Sequence, residues 1–225
     1  MESNLGIPRK DTSKSPISGA LDKQPRTARY DEKLKAVLSA SSSLFAEKGF
    51  ERATIRDVSQ ATGMSLAGLY YYFRSKEELL FLIQFRAFDS ICENLRAIIR
   101  NETDPQACLY KMIEMHFEYF IRNMNDLKIC SREIESLKGD FYRDVAEKRR
   151  EYFELTQSIF EGIGGRSGGS PADSRLAALY LFGTLNWIYQ WYRPGRYPDA
   201  KELAGQLSSI YLRGFPHAGK GQTSD

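Results

Sequence analysis

Residues 54–76 read TIRDVSQATGMSLAGLYYYFRSK, and this stretch decides the fold. It holds two short helical patterns, each preceded by a residue type that caps helices well. Thr54 precedes the first, with Asp57 three positions on as the return partner of a capping box, and Ser65 precedes the second. Gly63 lies between them, where a tight turn needs a positive φ. The stretch therefore predicts a helix-turn-helix unit.

The apolar residues of this unit are expected to face inward, and they are Val58, Ala61, Met64, Leu69 and Phe73. The consecutive tyrosines 70–72 cannot all face one core, so we expect them to offer hydroxyls to phosphates and ring faces to thymine methyls. Ala67 and Gly68 are small enough to let the second helix approach a groove wall. Lys76 adds a cation where a helix N-terminus already favours a phosphate. Any small helical protein can show short helices and a glycine turn, but that alternative leaves the tyrosine run unexplained.

The rest of the chain also has helical periodicity. Further helices are predicted over residues 30–48, 75–98, 104–124, 126–162 (with a break near 138–139), 171–192 and 198–211. Ser75 with Glu78 forms a second capping-box pattern, and Asp104 followed by Pro105 is a typical helix start. No stretch alternates with the period of a strand, so the predicted fold class is all-α.

Composition limits the location and the partners of the protein. The net charge of +3 is small, so nucleic-acid binding requires a local patch. Cys92, Cys108 and Cys130 are scattered, and no secretory signal is evident, so reduced thiols in a cytoplasmic protein are expected. Residues 176–192 carry no charge, but this run is shorter than the roughly 20 residues of a membrane span. We therefore interpret it as a buried interface helix and expect no membrane partner.

The sequence divides into four segments. Residues 1–29 are rich in proline and serine, with six basic against three acidic side chains, and they predict a disordered basic N-terminal arm. That arm is either a solvated tail or a source of extra DNA contacts. Residues 30–78 form the predicted helix-turn-helix DNA-binding domain, residues 79–214 a larger ligand-binding and dimerisation domain, and residues 215–225 a flexible tail.

Enzymatic activity has little support in the sequence. The two histidines, His116 and His217, do not provide a catalytic triad or a metal cluster, and no Cys-x-x-Cys occurs. The glycine-rich residues 162–169 fail the dinucleotide-binding pattern because Ser167 replaces its last glycine. We therefore expect no enzyme, no metal and no cofactor. A helical adaptor that binds proteins is the remaining alternative, and salt dependence separates it from a DNA-binding protein.

Residues 34–80 resemble the DNA-binding region of the TetR family of repressors. The resemblance rests on LYYYFRSKEEL at 69–79, FAEKGF at 45–50, and Ala53-Thr54. It implies that phosphates are contacted by Thr54, Ser65, Tyr71, Tyr72 and Lys76. It also implies that Arg56 reads a guanine edge and that Leu66, Ala67 and Tyr70 face the bases. Leu66 stands where many relatives carry a polar side chain, and Gly68 replaces a usual threonine, so hydrogen-bonded base readout is reduced.

Residues 183–195 resemble a stretch of TetR regulators that control acyl-CoA catabolism. The resemblance implies a homodimer whose interface includes Tyr180, Trp187, Trp191, Leu207 and Tyr211. An uncharged helix rich in tryptophan and tyrosine suits burial against a second subunit. A core helix within one subunit is the alternative.

A ligand pocket is expected between the long helices that begin at Ser75, Asp104 and Gly139. Its predicted lining is Phe88, Cys92, Met112, Met115, His116, Phe117, Tyr119 and Phe120. Such residues also make plain cores, and His116 is either a ligand partner or a satisfied core histidine. Arg122, Lys128 and Arg132 either meet a CoA phosphate or are solvated.

These patterns together predict a ligand-responsive transcriptional repressor. It binds palindromic operator DNA as a homodimer, and a small apolar or acyl-CoA inducer releases it. The helix from Ser75 is expected to swing, which would move the two recognition helices out of register with major grooves about 34–36 Å apart.

Overall fold

The computed structural model describes residues 28–165 and 171–214. These residues form ten α-helices and one short 3-10 helix, with no strand among them, which confirms the all-α fold class. Most of the predicted arm over 1–29 and all of the predicted tail over 215–225 lie outside the described residues. Residues 28 and 29 are described, and they are helical, so the first helix begins before the predicted boundary.

The N-terminal helices match the predicted helix-turn-helix unit. They are α1 (Ala28–Lys48), α2 (Ile55–Thr62) and α3 (Leu66–Leu69). The first helix packs against the second, and the second against the third. Gly49 follows the last residue of α1 and has φ +83°, a conformation that a side chain would strain.

The larger domain contains seven helices in the described residues. They are α4 (Lys76–Asn101), α5 (Pro105–Arg122), α6 (Met124–Arg132), α7 (Gly139–Gly165), α8 (Pro171–Asn186), α9 (Ile188–Trp191) and α10 (Ala200–Gly214). The predicted break near residues 138–139 is a 3-10 helix at Ile134–Ser136 followed by Gly139. The predicted helix over 171–192 is interrupted at Trp187, so α8 and α9 are separate.

The long helix α4 joins the two domains because it contributes to both hydrophobic cores. Its first half, including Leu79 and Leu80, packs with Phe45 and Leu69 of the N-terminal helices. Its second half, including Leu95, packs in the core formed by α5, α7, α8 and α9. Helix α4 is therefore a continuous connection between the two cores.

Helix starts follow the predicted capping residues with one difference. The side chain of Asp104 accepts the backbone N–H of Ala107 at 3.0 Å, as expected. Ser75 accepts the N–H of Glu78 at 3.1 Å, but the carboxylate of Glu78 accepts the backbone N–H of Arg74 instead of that of Ser75. Glu78 therefore bonds to the residue before the N-cap, whereas in a standard capping box it would bond to the N-cap residue itself.

Among residues 28–165 and 171–214, no helix combines the length and the apolar character that crossing a bilayer requires.

Candidate DNA-binding surface and effector cavity

The start of α2 is held by a complete capping box. Thr54 Oγ1 accepts the backbone N–H of Asp57 at 3.2 Å, and Asp57 Oδ2 accepts the backbone N–H of Thr54 at 2.8 Å. Lys48 Nζ, at the end of α1, lies 2.9 Å from Asp57 Oδ1. The hydrogen bonds from Lys48 and Thr54 lower the pKa of Asp57 to about 2. The start of α2 is therefore fixed both to its own first turn and to the end of α1.

The turn between α2 and α3 has the predicted geometry. Gly63 has φ +69°, and Ser65 Oγ accepts the backbone N–H of Gly68 at 3.1 Å. Val58, Leu69 and Phe73 are buried as expected, whereas Met64 is half-buried and Ala61 is exposed. Ala61 was wrongly expected to face inward, because the eight-residue α2 buries only a narrow face.

The three tyrosines follow α3 and are not part of it. The helix is a single turn that ends at Leu69, so Tyr70 to Tyr72 lie in the turn that leads to α4. Tyr70 and Tyr71 are exposed. Tyr72 is half-buried, with its ring 5.0 Å from that of Tyr30, and the ring of Tyr71 lies 5.8 Å from the same residue. Tyr30 of α1 therefore holds the turn while leaving two tyrosines open to solvent.

The outward face of the unit carries the side chains expected to meet bases. Arg56, Leu66 and Ala67 are exposed, and Gly68 is half-buried. Gln60 is also exposed, one helical turn after Arg56, so both project from the same side of α2. Gln60 was missed in the sequence, although its i+4 spacing from Arg56 was visible, and its amide suits adenine.

Lys76 has partners inside the protein. Its Nζ donates to the backbone oxygens of Phe50 at 2.9 Å and of Glu51 at 3.3 Å, and it lies 4.3 Å from the centre of the Phe50 ring. Two of its three N–H donors therefore hold the loop between α1 and α2. One donor is left for the phosphate contact that the sequence predicts.

Helix α6 connects the DNA-binding domain to the larger domain. Ser42 Oγ of α1 donates to Asp126 Oδ1, and Lys128 Nζ donates to the backbone oxygen of Ala46. Burial raises the pKa of Asp126, and the hydrogen bond from Ser42 opposes that shift. Both bonds join α6 directly to α1.

A cavity of about 300 Å³, here called the effector cavity, lies within the larger domain. It is lined by Phe88, His116, Phe120, Leu127, Cys130, Ser131, Arg149, Arg150, Tyr152, Phe153, Leu179, Phe182 and Asn186. Helices α4 to α8 thus all contribute to its wall. Of the eight residues predicted to line the ligand pocket, Phe88, His116 and Phe120 line this cavity.

The other five predicted lining residues lie elsewhere. Cys92, Met112 and Phe117 are buried in the core, and Met115 is half-buried against it. Tyr119 lines a different cavity. The four of these residues that belong to α5 lie away from the cavity because α5 is apolar on more than one face, and only the face containing His116 and Phe120 turns towards the cavity. The aromatics of α7 and α8 were missed because sequence spacing alone does not show which helices meet.

His116 has a distinctive position in the wall of the cavity. It is almost completely buried, and its Nδ1 lies 3.1 Å from the hydroxyl of Tyr152. Its Nε2 is buried and has no hydrogen-bond partner among the described residues. Burial lowers the pKa of His116 to about 3, so the ring is neutral at physiological pH. His116 Nε2 is therefore a buried polar atom in the cavity wall that the described residues leave without a partner.

A second, more polar cavity of about 360 Å³ lies between the domains and forms the interdomain cleft. It is lined by residues of α1, α4, α5 and α6, including Lys35, Arg86 and Arg122. Of the three basic residues considered for a CoA phosphate, Arg122 is thus in this cleft. Lys128 bonds to α1, and Arg132 lies over the ring of Tyr189.

The predicted dimer residues divide into two groups. Tyr180 and Trp187 are 66% and 58% exposed. Trp191, Leu207 and Tyr211 are half-buried and pack against the core of their own subunit. Further exposed apolar residues that the sequence analysis missed are Leu176 and Leu179 on α8 and Ile210 on α10. Residues 176, 180 and 183 share the exposed face of α8, and Trp187 continues it in the turn that follows the helix. This surface, here called the α8 stripe, has Gly183 open at its centre.

Comparison with known proteins agrees with this architecture. The family model for bacterial regulatory proteins of the tetR family matches residues 37–83, and the model for the tetracyclin repressor-like C-terminal domain matches residues 102–215. The HTH-type transcriptional repressor KstR2 of Rhodococcus jostii (strain RHA1) is 29% identical over 185 residues, which cover 80% of this chain and 91% of that protein.

Solved structures show the same fold. The TetR family regulator PfmR from Thermus thermophilus is 30% identical with a TM-score of 0.71, covering 79% of this chain and 97% of its own. AibR, solved in complex with isovaleryl coenzyme A and operator DNA, matches in fold with a TM-score of 0.70 at 21% identity, over 79% of this chain and 97% of its own. The helix-turn-helix unit and the larger helical domain are both covered, and the chain therefore belongs to the TetR family of bacterial transcriptional regulators.

Proposed function

We propose that this TetR-family protein is a homodimeric repressor that leaves palindromic operator DNA when an acyl-CoA thioester enters the effector cavity. One observation carries the proposal: α6 is at once a wall of that cavity and the helix that holds α1. A ligand that repositions α6 must also act on the DNA-binding domain.

Neighbouring residues of α6 have separate partners. Leu127 and Cys130 line the effector cavity. Asp126 and Lys128 make the hydrogen bonds to α1. Because all four residues lie within one helix of nine residues, a rotation or shift of α6 at the cavity also changes its bonds to α1. A tenfold loss of operator affinity needs only about 1.4 kcal/mol of differential ligand binding between two states.

Helix α4 supplies a second connection between the cavity and the DNA-binding domain. Phe88 lines the cavity, and Leu79 and Leu80 are buried against α1 and α3 on the same helix. The swing of α4 expected from the sequence and the displacement of α6 therefore act together. Either movement changes the spacing of two recognition helices that must fit grooves about 34–36 Å apart.

The outward face of the helix-turn-helix unit supports binding to duplex DNA. Arg56 and Tyr70 are exposed and suit base edges, and Ala67 lets the backbone approach them closely. Phosphate contacts are assigned to Thr54, Ser65, Tyr71, Tyr72 and Lys76. Ser65, Tyr71, Tyr72 and Lys76 cap a helix or brace a turn, so they present phosphate donors in positions that the fold has already ordered. Thr54 Oγ1 donates to Asp57 Oδ2 at 2.8 Å, so its phosphate contact requires the exchange of that hydrogen bond.

The α8 stripe supports the homodimer. A large apolar stripe on one helix is costly to leave in water, and its natural partner in a two-fold dimer is the same stripe of a second copy. Gly183 leaves room for the backbones of two α8 helices to approach. The proposed interface is therefore centred on Tyr180 and Trp187, with Leu176 and Ile210 beside them. Trp191, Leu207 and Tyr211 act behind it as supporting residues.

The cavity supports a ligand with a small apolar head. Its volume of about 300 Å³ is at the lower end of the range of about 300–1,000 Å³ for small-molecule sites. A short or compact acyl group suits this space, whereas the nucleotide part of CoA must remain outside. Arg150 lines the cavity with a largely exposed side chain, so a cation is available where an anionic ligand portion emerges. The isovaleryl coenzyme A in the AibR complex supports the same ligand class.

The experiment is an operator-release titration. An operator is selected from randomised duplex DNA, labelled, and bound to the protein in a fluorescence anisotropy assay. Acetyl-, isovaleryl-, octanoyl- and benzoyl-CoA are then titrated, with CoA and the free acids as controls. Release by one or more thioesters but not by CoA supports the proposal. Specific DNA binding that no thioester weakens refutes the acyl-CoA response while leaving the repressor intact.

A further inference from the structure

The unsatisfied nitrogen of His116 indicates what the effector cavity recognises. Its ring lines the cavity and is about 1% exposed, and its Nε2 has no hydrogen-bond partner among residues 28–165 and 171–214. Buried polar groups are nearly always hydrogen-bonded because an unmade bond is costly. Because this unpaired nitrogen belongs to a residue of the cavity wall, a bound ligand is the natural source of its missing hydrogen-bond partner.

The neighbouring tyrosine determines whether that nitrogen donates or accepts. Tyr152 is buried, and its hydroxyl lies 3.1 Å from His116 Nδ1. If the hydroxyl donates to Nδ1, then Nε2 carries the proton and is the only group left unpaired. If Nδ1 donates instead, both the tyrosine proton and Nε2 lack partners. The first arrangement leaves fewer unmet bonds, so Nε2–H is the donor and the ligand must provide an acceptor.

We infer that His116 Nε2–H donates a hydrogen bond to the carbonyl oxygen of the effector's acyl group, and that the cavity thereby recognises the thioester through its carbonyl. The inference rests on the proposed function, because it names the recognition residue of that same cavity. Tyr152 is the positioning residue that keeps the histidine in the donating tautomer.

The other polar groups around the cavity differ from His116 in charge. His116 supplies one donor and no charge, which suits an uncharged acceptor such as a thioester carbonyl. Arg149 donates to the backbone oxygen of Cys130 at 2.7 Å and lies 5.2 Å from the centre of the Phe88 ring. Arg149 and Arg150 line the cavity as cations, so an anionic portion of the ligand has partners apart from the histidine.

The test compares three forms of one ligand on the purified full-length dimer. The tightest-binding thioester among acetyl-, isovaleryl-, octanoyl- and benzoyl-CoA is compared by calorimetry with its S-alkyl CoA thioether, which lacks the carbonyl oxygen, and with the free acid. We expect the thioether to bind wild-type protein at least tenfold more weakly, and the free acid more weakly still. In the double variant His116→Leu/Tyr152→Phe, the thioester and the thioether should differ by less than threefold.

Two further measurements distinguish ligand recognition by His116 and Tyr152 from a role of this pair in the stability of the fold. The variant Met115→Leu changes the adjacent position outside the cavity and should keep the wild-type preference for the thioester. The double variant replaces both polar partners by apolar groups of similar shape, so its melting temperature should be unchanged or higher. A large drop in that temperature would show that the pair serves the fold and would overturn the inference.

Different results would overturn the role of His116 and the proposed acyl-CoA response. Equal binding of thioester and thioether by wild-type protein overturns the role of His116 but leaves the acyl-CoA response in place. The absence of binding by every thioester overturns the proposed function and this inference together.

Discussion

Replacing Trp187 by alanine is expected to weaken the dimer without unfolding the subunit. The indole is 58% exposed in the single chain. A buried large aromatic covers about 150–250 Å², so taking about 250 Å² for tryptophan leaves roughly 145 Å² in water. At about 25 cal/mol per Å², burying that area contributes about 3–4 kcal/mol per subunit. A two-fold axis repeats the loss in both subunits. The dimer is therefore weakened by about 4 kcal/mol if the interface buries half of this area and by about 7 kcal/mol if it buries all of it.

Sedimentation velocity over a dilution series measures this effect directly. Even the lower figure raises the dimer dissociation constant by more than about a hundredfold. Tyr142→Ala, which removes another exposed aromatic from α7, is the matched control and should leave the constant unchanged. Circular dichroism should show the same helix content in both variants. A dissociation constant for Trp187→Ala within threefold of wild type would refute the assignment of the α8 stripe to the interface.

Four further outcomes are expected. Thr54→Ala removes the N-cap of α2 and should lower the free energy of unfolding by about 1 kcal/mol in urea titrations. Arg56→Ala should reduce discrimination at one base pair of each half-site by about 1–3 kcal/mol, measured by anisotropy on single-base operator variants. Lys128→Met breaks a bond between α6 and α1, so it should keep operator and thioester binding but weaken thioester-driven release at least tenfold in the same assay. Burial depresses the pKa of His116 to about 3, so between pH 6.5 and 4.5 this histidine is protonated in the unfolded chain but not in the folded one. The free energy of unfolding should therefore fall by up to about 1.4 kcal/mol for each pH unit that the pH is lowered in this range. The His116→Leu/Tyr152→Phe variant should lack that component of the decline, and parallel slopes for the two proteins would contradict the burial of a neutral histidine.

The DNA-binding unit could be predicted closely because its determinants are local in sequence. The cap at Thr54 joins residues three apart, as does the cap at Ser65, and the positive φ of Gly63 is a single-residue property. Such features do not depend on how distant helices pack. The exception is the tyrosine run, since the end of α3 at Leu69 depends on burial of that side chain between three helices.

The effector cavity was only partly predictable for a physical reason. Helix α5 is buried on more than one face, so apolar periodicity does not distinguish Met112, which packs in the core, from Phe120, which lines the cavity. The position of Tyr152 opposite His116 depends on the docking of α7 against α5, over a separation of 36 residues. The break at Trp187 likewise separates its exposed ring from the half-buried Trp191, and a single continuous helix does not predict that difference.

We propose that a symmetric dimer of this chain recognises a palindromic operator. The most direct measurement is selection from randomised duplex DNA with the wild-type protein, followed by sequencing and binding of the enriched site at several salt concentrations. We expect an inverted repeat whose half-sites lie about one helical turn or a multiple apart, with affinity that falls steeply as salt rises. Enrichment of no motif, or of a single half-site bound by one chain, would contradict it.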